Sequence, residues 1–281
     1  MALNTNTQNI QQQSQVTIAD QEAPIVILFG APASGKTCIL VRLLRYLNQE
    51  TNFQWEPDAT FRSVTIDPIY GTVCEKFKSD VNASTTPVAT PPDFYLLAKV
   101  RDNYGKTLFQ ILEAPGELYF PTDDLKNNAQ NFNPHSFSYP YAHSIINAPN
   151  RKIWCFMIEP NWETPSIRAA YVDRIKAMKM HMSPTDKVIL ICNKCDEMPA
   201  LILGKGVPNT SLFQQEMQNQ HPGLFTPFIN QHPITRLFRK YNCSFVAFSS
   251  GTFFNDGTYT QSASAYPKTL LQTLLRAVRG Y

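Results

Sequence analysis

The stretch Ile25-Val-Ile-Leu-Phe-Gly-Ala-Pro-Ala-Ser-Gly-Lys-Thr37 decides the fold of this chain. Its first five residues form a continuous apolar run, which is typical of a strand buried on both faces of a parallel sheet. The next eight residues match the phosphate-binding pattern G-x-x-x-x-G-K-[ST]. Leucines at helical spacing within Cys38–Asn48 then predict a helix. A strand, a glycine loop and a helix in this order predict a site for the phosphates of a nucleotide.

Each residue type in this loop has a chemical reason. Gly30 and Gly35 let the backbone curl so that its N–H groups point at phosphate oxygens. Lys36 would neutralise charge between the β- and γ-phosphates, and the Thr37 hydroxyl can ligate Mg²⁺. The candidate phosphate-binding residues are Gly30, Ala33, Ser34, Gly35, Lys36, Thr37 and Cys38.

A second segment, Asn193-Lys194-Cys195-Asp196, follows the apolar run Lys187–Cys192. It is therefore expected at the carboxyl edge of the sheet, where ligands of such folds bind. The Asp196 carboxylate can accept two hydrogen bonds from the N1–H and 2-amino groups of guanine. Adenine offers no such pair of donors and would leave a desolvated carboxylate unpaired. The segment predicts guanine specificity, carried by Asn193, Lys194 and Asp196.

The remaining pattern alternates strands and helices. Two strands, Phe94–Arg101 and Thr107–Leu112, are joined by a turn at 102–106 and predict an antiparallel hairpin. The other predicted elements are the strands Lys152–Glu159 and Tyr241–Phe248 and the helices Pro165–Met182 and Pro267–Gly280. This order predicts an α/β fold with a doubly wound, mostly parallel sheet and one antiparallel hairpin.

Together with Glu113-Ala-Pro-Gly116, these segments resemble the Ras-like, translation-factor-related branch of P-loop GTPases. The resemblance spans roughly residues 24 to 280 and implies a P-loop NTPase fold, GTP or GDP as ligand and Mg²⁺ as cofactor. Phe248-Ser249-Ser250-Gly251 resembles the family's fifth motif, whose backbone meets the guanine oxygen. It implies that Ser249 and Ser250 bind the base, although the usual Ser-Ala-Lys is degraded here.

The chain departs from the family at its catalytic positions. Where the family has Asp-x-x-Gly, this chain has Glu113 as the implied metal-site residue and Gly116 as the residue whose N–H meets the γ-phosphate. Many members next have Gln or His to orient the attacking water, and here Glu117 stands in its place. Glu117 could orient or deprotonate water, or could repel the γ-phosphate. The implied catalytic set is Glu117, Gly116 and Lys36, and the Gly-Glu ending resembles bacterial double-GTPases.

The family's switch threonine, which closes over Mg²⁺, should precede the second strand. Thr86 is the favoured metal ligand by position, with Thr85 and Thr90 as near alternatives. Thr65 competes, because Arg62-Ser-Val-Thr65 has the Arg-x-x-Thr spacing of heterotrimeric G-protein α subunits. In that interpretation Arg62 would be an arginine finger supplied in cis.

Composition limits the other classes of function. The 281 residues are 43% apolar with a net charge of +3 and no dense Lys/Arg run, so nucleic-acid binding is not expected. The sequence has no apolar stretch long enough to predict a membrane span. Six scattered cysteines predict reduced thiols in a cytoplasmic protein, and the C-x-x-C of Cys192 and Cys195 coincides with the base motif.

The polar start and three irregular stretches determine the predicted domain plan. Residues 1–23, rich in Gln, Asn and Thr, predict a disordered tail. Residues 24–281 predict one G domain with insertions at about 51–92, 117–150 and 199–240. Residues 51–92 are interpreted as irregular, and 121–150 show no helical period. Two similar segments, Asn219-Gln-His-Pro and Asn230-Gln-His-Pro, predict helix starts, with a partner-binding element as the alternative.

The functional hypothesis is a molecular switch. The chain would bind GTP and GDP with Mg²⁺, hydrolyse GTP slowly and signal to a protein effector or activating partner through its switch loops. One alternative is a pseudo-GTPase, an interaction subunit that binds nucleotide without turnover. Another is a P-loop ATPase or kinase, in which Asn193–Asp196 matches by accident.

Overall fold

The computed structural model describes residue 16 and residues 18–61, 70–83, 95–116, 140–160, 165–203, 206–254 and 258–280. Its centre is a seven-stranded sheet in the order β2-β3-β4-β1-β5-β6-β9. The seven strands are β1 (Ile25–Phe29), β2 (Phe53–Pro57), β3 (Leu96–Asp102), β4 (Thr107–Glu113), β5 (Lys152–Ile158), β6 (Lys187–Cys192) and β9 (Ser244–Ala247). Pairing is parallel from β4 through β1, β5 and β6 to β9, and antiparallel in β2-β3-β4.

Helices and short hairpins surround this sheet. The helices are α1 (Lys36–Leu47), α2 (Tyr70–Asn82), α3 (Pro140–Asn147), α4 (Pro165–His181), α5 (Thr210–Gln220), α6 (Pro222–Phe225), α7 (Pro233–Phe238) and α8 (Ala265–Arg279). Two separate two-stranded sheets are β7 (Ile202–Leu203) with β8 (Val207–Pro208), and β10 (Gly251–Phe253) with β11 (Tyr259–Gln261). Among the helices of the described ranges, none combines the length and hydropathy that a bilayer crossing requires.

The central strands are apolar because both of their faces are covered. Every residue of β1 and of β5 is buried, and so are five of the six residues of β6. These runs contain almost no polar residue, as a parallel sheet with helices on both faces requires. The predicted doubly wound, mostly parallel sheet is therefore confirmed, with the β3–β4 hairpin in its expected place. The sheet has a further antiparallel strand, β2, at one edge.

The prediction of an irregular stretch at 51–92 is wrong within its described residues. It contains β2, in which the exposed Gln54 and Glu56 alternate with half-buried or buried residues, as expected of a strand at a sheet edge. It also contains α2, whose buried residues Tyr70, Cys74, Phe77 and Val81 recur at helical spacing. The apolar spacing of α2 is present in the sequence. However, neither α2 nor the short, half-polar β2 resembles the continuous apolar runs of the central strands.

Two further boundaries differ from the sequence-based expectation. Residues 140–147 form α3, although no helical period was identified in 121–150. Residues 18–23, within the predicted tail, contact the end of the sheet. The backbone carbonyls of Asp20 and Ala23 accept hydrogen bonds from the side chains of Gln110 and Asn150, at 2.8 to 3.3 Å. Residues 18–23 thus pack on the domain that was predicted to begin at residue 24.

Candidate functional site

The glycine loop curls between the end of β1 and the start of α1. Ala33 and Gly35 have positive φ angles of 59° and 83°, in the left-handed region. A Cβ atom at Gly30 would lie 2.6 Å from the Ser34 Oγ, and one at Gly35 would overlap the Asn193 amide nitrogen. Only glycine fits at these positions. The loop hence places the N-terminus of α1 at the carboxyl edge of the sheet, where an anion is favoured.

Lys36 and Thr37 begin α1 and point back into the site. The Lys36 ammonium is buried and donates to the carbonyls of Gly30 and Ala31, both at 3.0 Å. The Thr37 hydroxyl donates to the Glu113 Oε1 at 2.5 Å. Glu113 ends β4 and is fully buried. The structure thus brings together Thr37 and Glu113, two of the three predicted metal-site residues, as adjacent oxygen donors of the kind Mg²⁺ prefers.

Gly116 packs against the same loop. A Cβ atom at Gly116 would lie 2.6 Å from the carbonyl carbon of Ala31 and would overlap the backbone nitrogen of Pro32. The backbone of Gly116 therefore packs directly on the loop, next to the residues expected to face the terminal phosphate. Glu117, the next residue, lies outside the described residues, and so do the predicted switch residues Arg62, Thr65, Thr85, Thr86 and Thr90.

The base motif is bonded to the phosphate loop. Asn193 follows β6 and donates from its Nδ2 to the Ser34 carbonyl at 2.9 Å. Lys194 has a positive φ of 55°, and its ammonium forms an ion pair with Glu159 at 2.6 Å. Asp196 lies in the short 3-10 turn Cys195–Glu197, with an exposed side chain. The carboxylate predicted to read the base is thus directed away from the core while its neighbours are anchored.

The segment after β9 joins the base motif through its backbone. The Cys195 N–H donates to the Phe248 carbonyl at 3.1 Å, and the Phe248 N–H donates to the Cys192 carbonyl at 2.7 Å. Ser249 and Ser250 are buried beside this connection. The Ser250 carbonyl accepts a hydrogen bond from the Tyr259 hydroxyl at 2.5 Å, which ties the segment to β11. The predicted fifth motif is therefore adjacent to Asn193–Asp196 in space.

The two thiols of the C-x-x-C segment are buried in the site. Cys192 and Cys195 are both free thiols and are buried. Burial raises the pKa of Cys195 to about 12 and the pKa of Cys192 well above its ordinary value. Cys38 behaves similarly, because burial and then the charge of Glu113 raise its pKa to about 11. These thiols stay protonated near neutral pH and are poor nucleophiles.

Two arginines that the sequence did not single out connect α1 to its surroundings. Arg42 donates to the Ser262 carbonyl at 2.8 Å. Arg45 donates to the carbonyls of Asp80 and Val81 at the end of α2, both at 2.9 Å, and lies 5.8 Å from the Tyr259 ring centroid. Both guanidiniums are buried in a helix that otherwise buries leucines. The position of these two arginines within the apolar pattern of α1 is the sequence feature that could have identified them.

Known proteins similar to this chain were found only among solved structures. No protein-family model matches the sequence, and no curated protein matches it. A nucleolar GTP-binding protein 1 structure from Plasmodium falciparum aligns over 94% of this chain and 90% of its own, with 14% identity and a TM-score of 0.44. The SRb-GTP/SRX complex from Chaetomium thermophilum aligns over 81% and 90%, with 12% identity and a TM-score of 0.36.

A third structure, Roco2 RocCORdC of Methanosarcina barkeri bound to GDP, aligns over 91% of this chain and 50% of its own chain. Its identity is 12% and its TM-score 0.34. At these identities and TM-scores, the description of this chain rests on its own sheet order and site geometry.

Proposed function

We propose that this protein binds GTP and GDP with Mg²⁺ and hydrolyses GTP slowly as a molecular switch. The observation that carries the proposal is the 2.9 Å hydrogen bond from the Asn193 amide to the Ser34 carbonyl. It couples a guanine-type base motif to a phosphate loop, so that one ligand would span both. Neither segment alone requires such a ligand.

The phosphate end of the site would be formed by the loop and the start of α1. Backbone N–H groups around Gly35 and the helix N-terminus favour phosphate oxygens. The Lys36 ammonium, which donates to the Gly30 and Ala31 carbonyls, would contact the β- and γ-phosphates. Its burial strengthens that attraction, because little water competes.

The metal would be held by Thr37, with Glu113 acting through water. Their oxygens are joined by a direct hydrogen bond of 2.5 Å, and both are hard donors of the kind that Mg²⁺ prefers. Bound Mg²⁺ would supply neutralisation of charge that develops on the β- and γ-phosphates. The Thr37 hydroxyl can keep its donation to Glu113 while a lone pair on its oxygen ligates the metal.

The base end of the site would select guanine through Asp196. The carboxylate is exposed, on a turn fixed by the Cys195–Phe248 and Asn193–Ser34 hydrogen bonds. It would accept from the guanine N1–H and 2-amino groups, which adenine cannot match. Backbone groups of Ser249 and Ser250 would contact the base oxygen.

The terminal phosphate would be sensed by Gly116. Its backbone packs on Ala31 and Pro32, so a γ-phosphate bound there would move or order the chain that follows. That chain and the switch threonine, proposed to be Thr86, would present the nucleotide state to an effector or activating protein. Glu117 is proposed to act on the attacking water.

A pseudo-GTPase is the second candidate, and the Thr37–Glu113 hydrogen bond favours it. The Glu113 carboxylate is fully buried and directly bonded to Thr37, so the water through which it would act on a metal would have to enter a closed contact. The protein would then bind nucleotide, or GDP alone, as a structural ligand. Single-turnover assays separate the two: bound GTP persists for hours in a pseudo-GTPase and is converted to GDP in a slow switch.

The test of nucleotide binding is calorimetric titration with GDP, ADP and a GTP analogue in the presence of Mg²⁺. We expect guanine nucleotides to bind and ADP not to bind. Asp196→Asn should lose GDP and gain xanthosine diphosphate, because the amide inverts the hydrogen-bonding pattern. Glu197→Gln, on the same turn, is the matched control and should keep GDP. Equal binding of GDP and ADP would refute guanine specificity.

A further inference from the structure

A cleft of about 700 Å³ lies beside β9, the edge strand of the central sheet. Its lining includes Ser244 and Phe245, the first two residues of β9, together with Gln214 and Gln218 of α5 and Thr273 of α8. Because the nucleotide motifs follow the carboxyl ends of the parallel strands, this cleft lies at the opposite, amino end of β9. The proposed function leaves it without a role.

The edge of β9 offers unused backbone hydrogen-bonding groups. The Phe248 N–H points to β6, where it bonds the Cys192 carbonyl at 2.7 Å. Backbone direction alternates along a strand, so Val246 and Ser244 also face β6, whereas Phe245 faces outward. Within the described residues, neither the N–H nor the carbonyl of Phe245 has a hydrogen-bond partner on that side. A strand edge of this kind can accept an additional strand.

The cleft is also strongly cationic. Arg239 and Lys240 enter it from the segment before β9, and Arg276 enters it from α8. All three side chains are exposed, and none forms an ion pair with a carboxylate in the part of the chain that the structure describes. The sequence contains no Asp or Glu from 217 to 255. An anionic ligand would therefore be attracted without competition from acidic residues of this segment.

Exposed apolar side chains adjoin the cations. Leu237 and Phe238, at the end of α7, are 84% and 88% exposed and directly precede Arg239. Large apolar groups that protrude in this way, beside polar residues, are common at sites of association with another protein.

We propose that this surface binds an extended acidic segment of a protein partner, which adds to the sheet along the outer edge of β9. Carboxylates of the partner pair with Arg239, Lys240 and Arg276, and its backbone both accepts from and donates to Phe245. Lipid headgroups and nucleic-acid phosphates could satisfy the cations and the Phe245 N–H. They lack a backbone in which a carbonyl and an N–H are spaced to pair with both groups of Phe245, and this favours a peptide. The inference does not depend on nucleotide binding.

The first test uses the full chain on an array of peptides of about ten residues with Glu at alternate positions and varied residues between them. Matched arrays carry Lys or Gln at the same positions. We expect the chain to bind the Glu array, and Arg276→Glu to weaken binding about tenfold, with GDP affinity unchanged. Arg279→Glu, on the same helix but outside the cleft, is the matched control and should bind as the wild type does.

The second test separates strand addition from simple charge attraction. The tightest Glu peptide is resynthesised with N-methyl groups on every second backbone nitrogen, in each of the two possible phases. We expect one phase to lose binding and the other to keep most of it, because only one edge of the added strand bonds to β9. Hydrogen exchange should slow in residues 241–248 when the unmodified peptide binds.

Three results would overturn the proposal. The first is the absence of any Glu peptide that binds more tightly than its Lys and Gln counterparts. The second is equal binding of both N-methylated phases and the unmodified peptide. The third is binding of phosphatidylserine vesicles or duplex DNA that Arg276→Glu abolishes, without peptide binding, since another anion would then occupy the cleft.

Discussion

The two ends of the parallel strands differ in how their functional groups are held. At the carboxyl ends, the loop at Gly30–Gly35 and the Asn193 amide approach so closely that a single Cβ atom would collide. At the amino end of β9, by contrast, Arg239, Lys240 and Arg276 extend from separate elements into an open cleft. The first arrangement depends on backbone conformation, and the second depends on side-chain charge.

The difference indicates which changes each end tolerates. A site built from backbone N–H groups requires residues that permit an unusual backbone, so one methyl group can destroy it. A site built from exposed cations keeps its shape when one of them is replaced, and each replacement removes only part of its affinity for the partner. Loss of nucleotide binding and loss of partner binding should therefore be separable by mutation.

The largest effect is expected from Gly35→Ala. The φ of 83° is strained for alanine, and its Cβ would overlap the Asn193 amide. We expect about a hundredfold loss of GDP affinity, equivalent to about 2.7 kcal/mol, and a fall of about 1–3 kcal/mol in the free energy of unfolding. Calorimetry and urea denaturation measure the two quantities.

The matched control for that change is Gly71→Ala in α2. Among the described residues, apart from its chain neighbours and the backbone of its own helix, none has an atom within 4 Å of the position that its Cβ would occupy. Alanine should be neutral or slightly stabilising there. If Gly35→Ala left GDP binding intact, the close approach of the loop to Asn193 would not be needed for the site.

An intermediate effect is expected from Asp186→Ala, at the amino ends of β5 and β6. The Asp186 carboxylate accepts from the Lys152 N–H at 2.9 Å, and from the Ser183 N–H and Trp154 Nε1 at 3.1 Å. Its loss should lower the free energy of unfolding by about 2–3 kcal/mol and leave GDP affinity unchanged. Asp173→Ala removes only the exposed ion pair with Lys176 and should change stability by less than about 0.5 kcal/mol. If Asp186→Ala also lowered GDP affinity, the amino and carboxyl ends of the parallel strands would be energetically coupled.

The smallest effect is expected in the pH dependence of the free energy of unfolding, through His221 on the carboxyl side of the sheet. Burial, and then the nearby charge of Arg168, lower the pKa of His221 below 6.5. The unfolded chain therefore binds a proton at a pH where the folded chain does not, and stability should fall as pH drops below 6.5. Urea denaturation at about pH 7.5 and about pH 5.5 should show a smaller difference in His221→Asn than in the wild type. An identical difference would exclude His221 as the source.

Much of the fold could be predicted because its signals are local. The apolar runs of β1, β5 and β6 are buried on both faces and bear almost no polar residue. By contrast, β2 was missed, since a five-residue edge strand with two exposed polar residues resembles a loop. The additional helix α2 was missed too, although Tyr70, Cys74, Phe77 and Val81 follow its period.

The candidate site divides in the same way. Lys36, Thr37, Glu113, Gly116 and Asn193 were identified from short motifs, and the structure brings them together at one edge of the sheet. The assignments of Glu117 and of Thr86 stay predictions. Arg42 and Arg45 could not be assigned, because their partners are carbonyls 35 or more residues away.

By itself, the sequence of this protein identified the glycine loop and the Asn193–Asp196 segment as candidate nucleotide-binding motifs. Such motifs depend on backbone conformation and on residues a few positions apart, which a short stretch of sequence records directly. Only the tertiary structure decided that Asn193 bonds to Ser34, that Glu113 meets Thr37, and that Arg239, Lys240 and Arg276 share a cleft at the edge of β9. These contacts join residues far apart in the chain, and they depend on the order in which the strands pair.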